Sequence, residues 1–190
     1  MAIVQKASRL APLALLLAFL CFAPTQPLVA ADAVVLTVAG NITNPNRGKI
    51  DPFLDGFLSY HEKSFERAHV FSRGDLTKLP QRKVTAFASS ETWHGPVSMQ
   101  GPLLKDVLQK AGAGGKPVTL FALDGYGAEF DVNLLDSRDW ILAHTLNGRP
   151  LGIGGRGPLW LARNTGNTPA GADEEAKWVW SVFFIEVGEK

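Results

Sequence analysis

One stretch of the chain, Ala86 to Tyr126 (AFASSETWHGPVSMQGPLLKDVLQKAGAGGKPVTLFALDGY), restricts the fold more than any other, because its pattern delivers two strand ends to one place. A strand runs into the polar loop Ser89, Ser90, Glu91, Thr92, Trp93 and His94; a short hairpin and a helix follow; a second strand stops at Asp124-Gly125-Tyr126. Within the helix, Leu103, Leu104, Val107, Leu108 and Ala111 recur at helical spacing, which turns one apolar stripe toward a core. Pro102 is expected near the first helical position, where its missing N–H costs nothing, and Gly112 with Gly114-Gly115 supplies the stop. Val118 to Leu123 is apolar enough for a buried strand, and Asp124-Gly125 breaks it, leaving Asp124 and Tyr126 at its mouth. Loops at converging strand ends present side chains to ligands, so the Ser89–His94 loop and the Asp124–Tyr126 turn are the first place to look for a site.

The start of the chain obeys a different logic. Lys6 and Arg9 form a positive segment, Leu10 to Phe22 an apolar one, and Pro24 to Ala33 an alanine-rich cleavage region. Residues 1–31 therefore read as a secretory signal peptide and 32–190 as a single domain, with small residues placed for cleavage after either Ala31 or Ala33. This predicts a periplasmic protein whose mature chain is not inserted in a membrane. Of the 19 Lys and Arg, two leave with the leader, so 17 face 18 Asp and Glu, and the chain's only cysteine, Cys21, leaves as well. Disulfides are excluded from the mature chain, and the near-neutral balance offers no basic field for nucleic acid or an anionic membrane.

Read in order, Val34 to Gly40 is β-branched and apolar and predicts the first strand. Asp51 to His61 carries apolar residues at mainly helical spacing, with Asp51 as a cap and Pro52 at the first helical position, and predicts a packing helix. Lys63 to Phe71 alternates as a strand, Asp75 to Leu79 makes a single turn, and Arg82 to Phe87 is the strand that enters the Ser89 loop. Ala128 to Val132 fits an edge strand, Val132 to Asp136 a turn, and Trp140 to His144 a strand. Asn147-Gly148 is the strongest hairpin signal in the chain. Leu159 to Arg163 follows a glycine-rich loop, Asn164 to Asp173 is expected as an exposed loop, and Trp178 to Val187 as one long strand. Many short strands with few helices, punctuated by Gly and Pro, predict an α+β domain dominated by mixed or antiparallel sheet.

The order of the Trp93 loop, GPLLKDVLQKAG (101–112), FALDGY (121–126), LAHTLNGRPL (142–151) and GPLWL (157–161) resembles the small relatives of the sulfite-oxidase-type molybdopterin-binding domain, over about Val34 to the C-terminus. The resemblance implies a compact β-rich, barrel-like core. It also implies a molybdenum-ligating cysteine in the loop that matches Ala88-Ser89-Ser90, since a soft thiolate suits that metal. This chain offers alanine or serine there. Some cysteine-less members of the family act as pterin sensors that pass their ligand state to a membrane-bound enzyme of cyclic di-GMP metabolism. The resemblance therefore implies a reduced, monapterin-like pterin without molybdenum as the ligand, and the periplasmic domain of such an enzyme as the partner. Its alternative is a molybdopterin oxidoreductase with Ser89 or Ser90 in place of the cysteine.

Other chemistries lack their residues. Gly152, Gly154, Gly155 and Gly157 have no strand–loop–helix unit around them, and Pro158 follows directly, which argues against a nucleotide loop. His61, His69, His94 and His144 have no metal-ligand spacing, and Ser89 and Ser90 lack a nucleophile elbow. A flat heterocycle instead calls for aromatic faces, a carboxylate for its N–H edge and a donor for its carbonyl or anionic edge. Trp93, Tyr126 and Trp160 supply the first, Asp124 and Glu91 the second, and Arg156 with its neighbours the third. With Ser89 and Ser90 at the vacant thiolate position these form the expected site, with no catalytic residue and no metal ligand.

Overall fold

The computed structural model describes residues 32–188. The expected signal peptide lies outside them. The elements in chain order are β1 (Val34–Gly40), α1 (Gly56–Tyr60), β2 (Ala68–Ser72), α2 (Arg73–Lys78), β3 (Gln81–Ala86), β4 (Val97–Pro102), α3 (Leu104–Ala111), β5 (Val118–Ala122), β6 (Gly127–Phe130), α4 (Val132–Ser137), β7 (Trp140–Ala143), β8 (Thr145–Leu146), β9 (Arg149–Pro150), β10 (Trp160–Arg163), α5 (Ala172–Glu175) and β11 (Val182–Val187).

Three sheets carry the fold. The five-stranded one runs β2-β1-β11-β5-β6, with β1 parallel to β11 and the other pairs antiparallel; β3-β4-β8-β9 form a second, and β7 with β10 a third. The architecture is the α+β one expected, but the strands do not close into a barrel. The five-stranded ladder ends at β6 because the Asp131 side chain accepts from Leu134 N at 2.7 Å and caps α4, turning the chain out of the sheet. Val132 to Asp136 is thus helical rather than a simple turn.

The core is built as the apolar pattern requires. Leu104, Val107, Leu108 and Ala111 bury one face of α3 beside Leu36, Val38, Leu120, Leu142 and Ile185 from the sheets. Burying each leucine or valine stabilises by about 1.5–3 kcal/mol before entropy is counted. The helix ends at Gly112 in the left-handed region, φ +75°, where a Cβ would stand 2.8 Å from Asn44 N. Its start differs from expectation: Gly101 and Pro102 finish β4, and the helix begins at Leu104. The strand persists because β4 presses so closely on β7 that a Cβ on Gly101 would meet Leu142 O at 1.9 Å.

Local caps explain the other differences. Asp51 Oδ1 accepts from Phe53 N and Leu54 N as a cap should, but the helix becomes regular only over α1, leaving Phe53, Leu54 and Tyr60 largely exposed. Ser72 and Asp75 cap each other and extend the expected single turn into α2. At Asn147-Gly148 both residues adopt positive φ, +48° and +77°, and close the β8–β9 hairpin as predicted. The long terminal strand is cut at Ser181, whose φ is +57°; Trp178 to Trp180 peel away toward β10, where Leu161 N donates to Val179 O at 2.7 Å.

Candidate functional site

β3 delivers the Phe87–Pro96 loop, and the segment after β10 is laid against it. Ala88 bridges Ala170 in parallel, Ala170 N donates to Phe87 O at 2.8 Å, and Ser89 N donates to Ala170 O at 3.0 Å. Asn164 to Asp173, expected as an exposed loop, is exposed over most of its length and pinned at Ala170, which is buried. Its reward is to place α5 beside the polar loop.

The junction is made by one carboxylate. Glu175 Oε1 accepts from Ser90 Oγ at 2.8 Å and from Trp93 Nε1 at 2.7 Å, while Ser90 Oγ lies 3.1 Å from Thr92 Oγ1. Two donors on one oxygen fix the group's direction and leave Oε2 without a hydrogen-bond partner among the described residues. Trp93 packs on Trp160 at 5.5 Å between ring centroids and edge-on to Trp178 at 5.6 Å; Trp160 Nε1 donates to Trp178 O at 3.1 Å. Rigid, interlocked rings of this kind keep a binding wall in place at little entropic cost.

These groups enclose a cleft of about 500 Å³ lined by Ser90, Thr92, Asp124, Tyr126, Arg156, Trp160, Glu175, Trp178 and Trp180. That volume suits a small heterocyclic ligand. On the far wall, Asp124 Oδ1 accepts from Tyr126 N at 3.0 Å and shapes the turn after β5, while Tyr126 Oη donates to Ala176 O at 2.7 Å and straps that turn to the end of α5. Arg156 places its guanidinium carbon 4.5 Å from the Trp160 ring centroid.

Of the residues expected at the site, Ser90, Asp124, Tyr126, Arg156 and Trp160 line this cleft. Trp93 stands behind it, bonded to Glu175, and lines an adjoining hollow together with His94. Ser89 and Glu91 do not join the lining. Ser89 and Ser90 follow in a bend pinned by the Ala88–Ala170 bridge, which puts Ser90 but not Ser89 on the cleft, and Glu91 is exposed in the turn that follows. Glu175, Thr92, Trp178 and Trp180 were not anticipated: Glu175 reads as one more acid in the run Asp173-Glu174-Glu175, and the two tryptophans as members of a long strand.

The donor set can be weighed against molybdenum directly. Among the described residues there is no cysteine and no cluster of three His, Cys, Asp or Glu placed to hold a metal. The cleft offers hydroxyls, carboxylates, a guanidinium and indoles, and no thiolate among the described residues.

A specific counterpart among solved structures is the sulfane dehydrogenase SoxCD from Paracoccus pantotrophus, with a TM-score of 0.55 and 20% identity over 82% of this chain and 38% of that one. At that identity the likeness is one of fold, and this chain spans well under half the length of its counterpart. No family model and no curated protein sequence matches the chain. No helix among the described residues is long and apolar enough to cross a membrane.

Proposed function

We propose that this chain is a periplasmic pterin-binding protein that takes a reduced pterin without molybdenum and relays its presence to a membrane-bound enzyme of cyclic di-GMP signalling. The observation that carries the binding half is Glu175, a carboxylate pre-aimed by Ser90 and Trp93 within a cleft walled by Trp160, Trp178 and Trp180. A pterin's aminopyrimidinone edge presents adjacent N–H donors, which a fixed carboxylate satisfies, while its faces gain from aromatic burial. Asp124 stands on the same cleft but is exposed, whereas Glu175 is half-buried and held by two donors, so Glu175 is the stronger partner for that edge.

The relay rests on the family resemblance and on one feature near the cleft. A Cβ on Gly125, within the Asp124–Tyr126 turn, would stand 3.7 Å from His61 Nδ1, and His61 follows the segment in which Phe53, Leu54 and Tyr60 are exposed. An exposed apolar group of that kind suits contact with another protein.

The test is extraction. Protein purified from its own host, oxidised and acid-extracted, should release a fluorescent pterin stoichiometric with the chain and contain no stoichiometric metal. Molybdenum at one per chain would overturn the reading in favour of the oxidoreductase.

A further inference from the structure

Arg156 belongs to two cavities at once. With Thr92 and Trp160 it lines the main cleft, and the same three residues line the adjoining hollow of about 270 Å³ completed by Trp93, His94 and Leu146. The side chain is stacked, 4.5 Å from the Trp160 centroid and 5.8 Å from that of Trp180, and its carbonyl accepts from Ser181 N at 2.9 Å. Stacked in this way it keeps its N–H donors free, and no carboxylate among the described residues pairs with it. Glu175 uses Oε1 on Ser90 and Trp93, and Asp124 uses Oδ1 on Tyr126.

From these we infer that the ligand carries an acidic substituent, a carboxylate or phosphate, and that this substituent lies on Arg156 at the junction of the two hollows while the bicycle fills the main cleft. The inference rests on the pterin reading and adds the charge and the place of the substituent. Two carboxylates elsewhere in the cleft lining, Asp124 and Glu175, repel an anion and so favour its placement on the guanidinium. Charge-assisted bonds from a guanidinium are about twice as strong as neutral ones, so an acid is preferred over a hydroxyl at that point.

The experiment is calorimetric titration of the full-length protein with pterin, 6-hydroxymethylpterin and 6-carboxypterin, each supplied reduced under anaerobic conditions. The acidic probe should bind roughly tenfold more tightly than the hydroxymethyl one, with the gap narrowing at high salt. Arg156→Gln should abolish the preference, bringing the affinities for the acidic and hydroxymethyl probes to within about twofold of each other, and Arg156→Lys should keep part of it. Equal affinities for the three probes, or a preference that survives Arg156→Gln, would overturn the inference and leave the pterin reading intact. A protein that binds none of the three removes that reading, and the inference with it.

Discussion

Glu175 Oε1 accepts from Trp93 Nε1 at 2.7 Å across 82 residues of sequence, so a single oxygen atom joins the short helix α5 to the loop that leaves β3. That atom also takes the Ser90 hydroxyl, and the free face of the carboxylate belongs to the cleft. In Glu175→Gln the amide oxygen can still accept from Ser90 and Trp93, but the nitrogen then presents a donor to the donors of the ligand. Pterin affinity should fall about tenfold to a hundredfold, the 1.5–3 kcal/mol of a charge-assisted pair. Asp124→Asn, which keeps an oxygen for Tyr126 N, should lose less than about tenfold. Calorimetry on the two folded variants decides between them, and a larger loss at Asp124 would move the ligand's edge to the other wall.

The path of the Ser89–Ser90 segment can be mapped chemically. Residues 32–190 hold no cysteine, so Ser90→Cys should place a single thiol on the cleft and Ser89→Cys a single thiol away from its lining. A thiol-directed reagent should modify both, and a bound pterin should protect only the first. Equal protection would mean that the loop does not follow the path described.

His144 makes stability depend on pH. It is 6% exposed, Nε2 donates to Gln81 Oε1 at 2.8 Å, and Gln81 is itself oriented by donating to Leu76 O and Leu79 O. Burial, and then the nearby Arg73 guanidinium, hold its pKa below the ordinary 6.5. The unfolded chain therefore takes up this proton first as pH falls. The contribution is fully present above about 6.5 and is lost below it, down to the depressed folded value. Thermal unfolding followed from neutral to mildly acid pH should show a falling Tm, and His144→Gln should flatten that fall. A pH dependence unchanged in the variant would assign it to other groups.

Gly101 tests the packing of β4 on β7. Its substitution by alanine forces a Cβ toward Leu142 O, a backbone atom that cannot rotate aside. The variant should lose about 1–3 kcal/mol or more, read as a lower urea midpoint with an unchanged slope. A midpoint within error of the parent would show that the two strands can separate.

Legibility in the sequence followed the range of the interactions involved. The apolar stripe of α3, its glycine stop and the Asn147-Gly148 hairpin are local patterns, and each was readable. Pro102 misled because its neighbour Gly101 answers to β7, about forty residues away, and not to the helix that follows. Trp178 to Val187 has a strand's composition throughout, and only the Ser181 contacts with Gly155 and Arg156 show where it divides. The same holds for the site. Ser90, Asp124, Tyr126, Arg156 and Trp160 were reached through segment order, whereas Glu175 has no local mark that distinguishes it from Asp173 and Glu174. What selects it is Trp93, brought near by the Ala88–Ala170 bridge.

β11, the last strand in the sequence, runs between β1 and β5 at the centre of the largest sheet, and its partner β1 is the first. A ladder closed across almost the whole described chain incurs its loop-closure entropy before its contacts can compensate, which places it late on the folding route. Glu175, Trp178 and Trp180 lie just before β11 in the chain, so the cleft has no early version that a ligand could recognise. A pterin would then act as a latch on the finished molecule: it should lengthen the lifetime of the folded state by slowing unfolding and leave the rate of folding as it is.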